Sequence, residues 1–342
     1  MTRRIAVDCM GADLGPLPAV AGAVSYLQTP GNENDAIVLV GDEPVLKEHL
    51  AQIGVDAALP ISIAHADETV GMGMNATEAL RKKNSSIAVA MRMQKEGLVS
   101  AVVSAGHTGA VMATAVLTLG RIPGVSRPAI AATFPNTHDS GTLVIDVGAN
   151  VDVKPENLLQ FAMMGASYSE DILKVRSPKV GLLSIGEERS KGNELVLASH
   201  DLLKSGPFNF VGNVEGRDVL EGKCDVVVCD GFIGNIILKF AESVKVLLET
   251  KIRRQISSNL FSKTGAILMG PFLRRMRRSL DYAEYGGAPL LGINGNCVIG
   301  HGKSSEKAIR NAIRGAAEMI STNVTGHIQK RIEKSSAKAV EQ

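Results

Sequence analysis

Residues 99–111, VSAVVSAGHTGAV, decide how this chain is read. Apolar residues run almost unbroken to Val103 and stop at Ser104, Gly106, His107, Thr108 and Gly109; small residues then resume as if a helix begins. A continuous apolar run, rather than an alternating one, marks a strand covered on both faces, as in a parallel sheet. The same grammar recurs at 4–11, 36–42, 60–66, 129–135, 141–150, 179–188, 208–216 and 224–235, the opening stretch itself reading as a strand over 98–106. Helical patterns lie between many of these runs, at 19–27, 44–53, 85–96, 155–173 and 194–203. Strands alternating with helices predict an α/β fold of the doubly wound kind.

Six of the strand ends carry Gly with Asp, Asn, Glu or His: DCMGAD, SAGHTGA, DVGAN, SIGEE, NVEG and CDGFIGN. In open α/β sheets ligands bind outside the carboxyl ends of the strands, where helix N-termini expose backbone amides. The six ends therefore predict one polar, glycine-lined cleft, with Asp8, Asp13, Asp146, Asn150 and Glu187 among its lining residues.

Composition sets bounds. The chain has 342 residues, 45% hydrophobic and 21% charged, enough for one large domain or two moderate ones. Aromatics are 4% and Trp is absent, which disfavours base-stacking nucleic-acid platforms, and the net charge of +2 does not point to nucleic acid either. Cys9, Cys224, Cys229 and Cys297 form no C-x-x-C pair, so neither a zinc site nor a redox couple is indicated, and a reducing cytoplasm fits. The start MTRRIAVDCMGAD does not read as a signal peptide, and no apolar window is long enough to span a membrane. The organisation expected is a single domain over 1–335 with a helical hairpin inserted at about 236–282, then a polar tail over 336–342.

At the SAGHTGA turn, unsatisfied amides and the start of a helix favour an anion. Ser104 and Thr108 add hydroxyls, and His107 adds a ring that can donate or accept a proton. The plainer reading is a capped helix with a half-buried histidine. In GEERSKGNE (186–194), Lys191 is either a point charge for phosphate or part of a solvated cluster at a helix start. Asp230, in CDGFIGN, is a base, an orienting group or a helix cap. GMGMNA (71–76) lacks the acidic partner of a dinucleotide loop, and GHGKSS (300–305) lacks the first glycine of a P-loop. No G-x-S-x-G elbow or metal-ligand cluster is present, and Cys9 has no activating base nearby in sequence.

Between 251 and 280 there are eight basic residues and no acidic one, so the remainder sums to about −6. Within this block lies an apolar island over 266–273. Apolar residues flanked by cations suit a membrane interface or an acidic partner; a helical hairpin packed on a second subunit is the alternative. Lys251, Arg253, Arg254, Leu268, Met269, Phe272, Arg274, Arg275, Arg277 and Arg278 are the contact candidates.

The ordered set AVDCMGAD, SAGHTGA, DVGAN, GEExxKGN, GFIGN, GGAPLLG and HGKSS, spread over residues 4–325, resembles the bacterial phosphate acyltransferases of glycerophospholipid synthesis, the PlsX family. That resemblance implies a Rossmann-like α/β/α sandwich, similar to phosphate acetyltransferases and isopropylmalate dehydrogenases and assembled as a homodimer. It implies conversion of acyl-(acyl carrier protein) and inorganic phosphate to acyl-phosphate and free carrier. No cofactor is implied, and the protein is expected to be cytoplasmic and peripherally attached to the membrane, beside a glycerol-3-phosphate acyltransferase that uses the product. The family's opening motif commonly reads DAMGGD where this chain has DCMGAD, so a family-wide role for the Cys9 thiol is not implied. On this reading Ser104, Gly106, Thr108, Gly109 and Lys191 hold phosphate, and His107 stabilises the oxyanion or protonates the leaving sulfur. Asn235 is a further donor and Asp230 an orienting group. The rival readings are an NAD-dependent dehydrogenase of similar fold and a non-catalytic membrane scaffold.

Overall fold

Strand β1 (Arg3–Asp8) shows why the strands read as unbroken apolar runs. Ile5 and Val7 pack into one hydrophobic core and Ala6 into another on the opposite face. Both faces of the sheet are covered, so both sets of alternating side chains are apolar.

The computed structural model describes residues 2–56, 58–138, 140–257, 260–272 and 286–340; the side chains of 260 and 336–340 lie outside that description. After β1 come α1 (Leu17–Leu27), β2 (Asp35–Gly41), α2 (Glu43–Ile53), β3 (Ile61–His65), the single turn α3 (Ala76–Ala79) and α4 (Ser86–Lys95). Then follow β4 (Ala101–Ser104), α5 (Thr108–Leu119), β5 (Ala129–Phe134), β6 (Thr142–Ile145), α6 (Pro155–Asp171), β7 (Lys179–Leu183), α7 (Glu194–Lys204), β8 (Asn209–Val214), α8 (Gly216–Glu221) and β9 (Val226–Val228). The long helix α9 (Gly231–Ser257) and α10 (Leu260–Leu268) precede β10 (Ala288–Leu291), β11 (Cys297–Ile299), α11 (Glu306–Thr322) and α12 (Val324–Val340). The segment expected as a polar tail continues the last helix as far as Val340.

All strands join one sheet in the order β3-β2-β1-β4-β11-β10-β5-β6-β9-β7-β8. One core, with Val20, Phe161, Ile313 and Ile328, lies under α1, α6, α11 and α12; the other, with Met91, Val111 and Val227, lies under α4 and α5. The result is a three-layer α/β/α sandwich with a mostly parallel sheet.

Strand direction inside this sheet places the site. Strands β3, β2, β1, β4 and β11 are parallel to one another, as are β6, β9, β7 and β8. Between the two blocks β10 is antiparallel to both β11 and β5, and β5 is antiparallel to β6. Three reversals leave the blocks pointing in opposite directions, so their carboxyl ends lie on opposite edges of the sheet. Only residues 135–141 separate β5 from β6. That is too short for a parallel crossover, which needs about a dozen residues.

Candidate functional site

The single cleft expected from six strand ends is therefore two centres. The ends of β1 and β4, DCMGAD and SAGHTGA, form the first; DVGAN, SIGEE, NVEG and CDGFIGN, after β6, β7, β8 and β9, form the second. From β4 to β6 is four strand spacings, roughly 20 Å across the sheet, and from β4 to β7 roughly 30 Å. Among the described residues no hydrogen bond or ion pair links the two centres. The apolar runs could not show this, because strand pattern carries no direction.

At the first centre the wall is built by close backbone approach. A Cβ on Gly11 would stand 2.9 Å from the Gly106 Cα, so only glycine lets these two turns touch. Asp8, 5% exposed, accepts a hydrogen bond of 2.6 Å from the Ser104 hydroxyl. Burial pushes its carboxyl above the ordinary carboxylate range, against donors at Ser104, Ser86 and the Met10 amide. Ser104 Oγ in turn accepts from the Gly106 N–H at 3.2 Å. Ser104 and Gly106, expected as phosphate ligands, thus have their donors engaged inside the protein and shape the turn instead. A small cavity beside them is lined by Asp8, Gly11, Val70, Ser86, Gly106 and His107.

His107 is the N-cap of α5: its Nδ1 accepts the Ala110 N–H at 3.1 Å. A ring nitrogen that accepts carries no proton, so the neutral ring holds its proton on Nε2. The amides of Thr108 and Gly109, first and second residues of the helix, have no acceptor among the described residues. Thr108 is exposed, and His107 and Gly109 are half-buried. Both readings of this turn are thus present at once: His107 caps the helix, and the free amides beside it can receive an anion.

Cys9 follows Asp8 but is fully buried, with Sγ donating to the Val7 carbonyl at 3.3 Å. Burial raises its thiol far above the ordinary range, so no thiolate is available at neutral pH. Asp13 is exposed at the rim, its N–H donating to the Gly302 carbonyl at 2.9 Å. That bond brings in a motif to which the sequence alone assigns no site residue. The GHGKSS turn after β11 is seated directly on the SAGHTGA turn, and the signal for it was its place at a strand end, not its glycine spacing.

The second centre is internally satisfied. Asp146 Oδ1 accepts from the amides of Ile130 (3.1 Å), Gly148 (3.1 Å) and Ala149 (2.9 Å). Its Oδ2 accepts from the Asn150 amide (2.7 Å) and side chain (2.9 Å). A carboxylate of the protein thus fills the anion-binding amides of DVGAN; burial nonetheless holds its pKa above the usual range. Asp230 Oδ1 accepts the Ile233 N–H at 2.9 Å, which is the helix-cap role at the start of α9. Asn235 is exposed beside Gly148. Glu187 forms an ion pair with Lys223 at 2.6 Å, and Lys191 is exposed on the same loop. Lys191, Asp230 and Asn235, expected beside the SAGHTGA phosphate, stand in one chain on the opposite edge of the sheet.

On α9, only Gly231 and Gly234 are buried, and Phe240 is 70% exposed. Lys251, Arg253, Arg254, Leu268, Met269 and Phe272 are all exposed. Arg274, Arg275, Arg277 and Arg278 lie outside the described residues.

The model of the family described as "Fatty acid synthesis protein" matches residues 3–327. The chain is 47% identical over 330 residues to a phosphate acyltransferase of Heliobacterium modesticaldum, covering 96% of this chain and 97% of that one. It is 48% identical over 336 residues to a phosphate acyltransferase of Desulfitobacterium hafniense, covering 98% and 99%. Among solved structures it is similar to the EutD phosphotransacetylase of Staphylococcus aureus, with a TM-score of 0.60 at 16% identity over 93% of this chain and 94% of that one. A phosphotransacetylase of Streptococcus pyogenes gives 0.59 at 16% identity, covering 94% of each. At such identity the structural likeness speaks for the fold alone.

Proposed function

The chain belongs to the phosphate acyltransferase family and is an acyltransferase enzyme, and from that premise we propose that it moves an acyl group from acyl carrier protein to inorganic phosphate at the SAGHTGA turn. The observation that carries this reading is the pair of unengaged amides at Thr108 and Gly109 beside a histidine that presents Nε2–H. An oxygen of HPO4 dianion attacks the thioester carbonyl carbon, and the C–S bond breaks. Acyl-phosphate forms, and the phosphate's proton goes to the departing pantetheine sulfur. The nucleophile arrives already ionised and the thiolate leaves readily, so the protein supplies position and charge stabilisation and no covalent intermediate.

The amides of Thr108 and Gly109 and the Thr108 hydroxyl hold phosphate. His107 Nε2–H donates to the tetrahedral oxyanion, because a ring that caps its helix through Nδ1 is a neutral donor. Asp8, Ser104 and Gly106 keep the turn in shape. No role at this phosphate falls to Lys191, Asp230 or Asn235 of the same chain.

The product would feed phospholipid synthesis through a glycerol-3-phosphate acyltransferase. Helices α9 and α10, basic at Lys251, Arg253 and Arg254 and exposed at Phe240, Phe261 and Leu268, fit peripheral contact with an anionic membrane, and the same charge would steer an acidic carrier protein. No helix among the described residues is long and apolar enough to cross a membrane. Assembly as a homodimer belongs to this reading.

Incubating the protein with an acyl-carrier thioester, with and without phosphate, and following free thiol tests it. Phosphate-dependent release is expected; release by water alone, or none, would overturn it.

A further inference from the structure

We propose that Lys303, in the GHGKSS turn, is the charged ligand of the phosphate held at the SAGHTGA turn. This rests on the phosphate site described above and adds to it the cation that the site otherwise lacks. Strand β11 runs beside β4 with Ile299 opposite Ser104, and the Gly300 N–H donates to the Ser104 carbonyl at 2.8 Å. On its other side the turn accepts the Asp13 N–H at the Gly302 carbonyl, 2.9 Å. A Cβ on Gly302 would lie 2.6 Å from Asp13 Oδ2, and one on Gly300 would lie 3.2 Å from the Ala105 Cβ. The GHGKSS, SAGHTGA and DCMGAD turns are therefore one packed wall.

The backbone of Lys303 is fixed in that wall: its N–H donates to His301 Nδ1 at 3.1 Å. Its side chain is exposed and makes no ion pair among the described residues, so its charge is free for a ligand. The exposed carboxylate of Asp13 at the rim repels a dianion, and dipoles alone compensate that weakly. The other lysine near the cavity, Lys82, has its ammonium on the Thr69 carbonyl at 2.9 Å, and Lys191 stands roughly 30 Å away across the sheet. A lysine binds phosphate as a compact, mobile point charge, which suits an exposed position at the rim.

The test is steady-state kinetics of wild type, Lys303→Met and Lys303→Arg with phosphate and acyl-carrier thioester varied separately. Lys303→Met should raise the phosphate KM at least tenfold and leave the KM of the acyl carrier within twofold. Lys303→Arg, which keeps the charge, should recover most of that loss. A phosphate KM within twofold of wild type, or an effect confined to the acyl carrier, would overturn the assignment while wild-type phosphate dependence left the parent reading standing. Absence of phosphate dependence in the wild type would remove both. Unchanged thermal midpoints in the two variants separate ligand loss from misfolding.

Discussion

The hydroxyl of Ser104 donates to the buried carboxylate of Asp8 across 2.6 Å, and the same oxygen accepts the Gly106 N–H. One side chain thus joins the end of β1 to the turn after β4. Ser104→Ala removes a donor from a buried carboxylate and leaves an amide unpaired. Each loss costs about 1–3 kcal/mol, since a buried polar group without a partner is not rehydrated. Denaturant unfolding should show a destabilisation of about 2–6 kcal/mol from the two losses together, and turnover should fall because the amides at Thr108 and Gly109 shift with the turn. Unchanged stability and turnover would show that the bond does not organise the site.

Asp8 also gives the fold a pH dependence of defined sign. Burial raises its carboxyl in the folded state, so the folded chain holds the proton at pH values where the unfolded chain has released it. Its stabilising contribution is complete below the ordinary carboxylate value and is lost as pH rises through the raised one. Asp8→Asn accepts from Ser104 without ionising, so unfolding free energies of the variant relative to wild type should improve from pH 4 to pH 8. A difference that is flat across that range would show that Asp8 titrates as it does in the unfolded chain.

His107 caps α5 and faces the site, and two substitutions separate the roles. Asparagine is a good N-cap, so His107→Asn should keep the thermal midpoint near wild type, whereas His107→Ala should lose about 1 kcal/mol of helix stability. Neither variant has a ring N–H at the reacting carbonyl, so both should lose on the order of 10²-fold in kcat, the usual cost of removing one oxyanion donor. Normal turnover in His107→Asn would leave the residue as a cap alone.

At the second centre, a Cβ on Gly234 would lie 1.8 Å from the Asp146 carbonyl oxygen, which is backbone and cannot swing aside. Gly234→Ala should therefore cost several kcal/mol, about 3 or more, through displacement of α9 from the β6 turn. Gly216→Ala, where a Cβ meets nothing within 4 Å, should change stability by no more than about 1 kcal/mol. Melting curves of the two variants check both halves, and equal midpoints would contradict the close packing.

What the sequence shows and what it hides follows from these residues. The runs around Val7, Val103, Val144 and Val227 are legible because two-sided burial demands apolar side chains at both alternations. Strands β10 and β11, four and three residues long, are too short to stand out, and GGAPLLGINGNCVIG reads as motif rather than sheet. Direction is carried only by connection length. The seven residues between Phe134 and Thr142 held the clue that the second block is inverted. Without it Lys191 and His107 look like neighbours, because each follows a strand and precedes a helix. Lys303 is hidden for the opposite reason: GHGKSS lacks the glycine spacing of a phosphate loop, and its seat beside Ser104 exists only through a pairing almost 200 residues apart in sequence.

The exposed flank of α9 and α10 yields the last expectation. Phe261 and Leu268 are 92% and 78% exposed, and Lys251, Arg253 and Arg254 lie on the same helical pair. A cation at an anionic lipid surface contributes about 1 kcal/mol, and a few buried apolar side chains add to it. Three cations together correspond to roughly a hundredfold in partition coefficient at low salt. Co-sedimentation with vesicles containing phosphatidylglycerol should therefore fall about that far in the triple variant Lys251→Gln, Arg253→Gln, Arg254→Gln, and should fall with added salt in the wild type. Leu268→Asp should weaken binding to the same vesicles while leaving phosphate-dependent thiol release in solution intact, because Leu268 is 78% exposed at the end of α10, whereas α9 packs on the core through Gly231, Gly234, Ile237, Leu238 and Ala241. Binding that is indifferent to both charge and Leu268 would mean that this surface is covered by protein, not lipid.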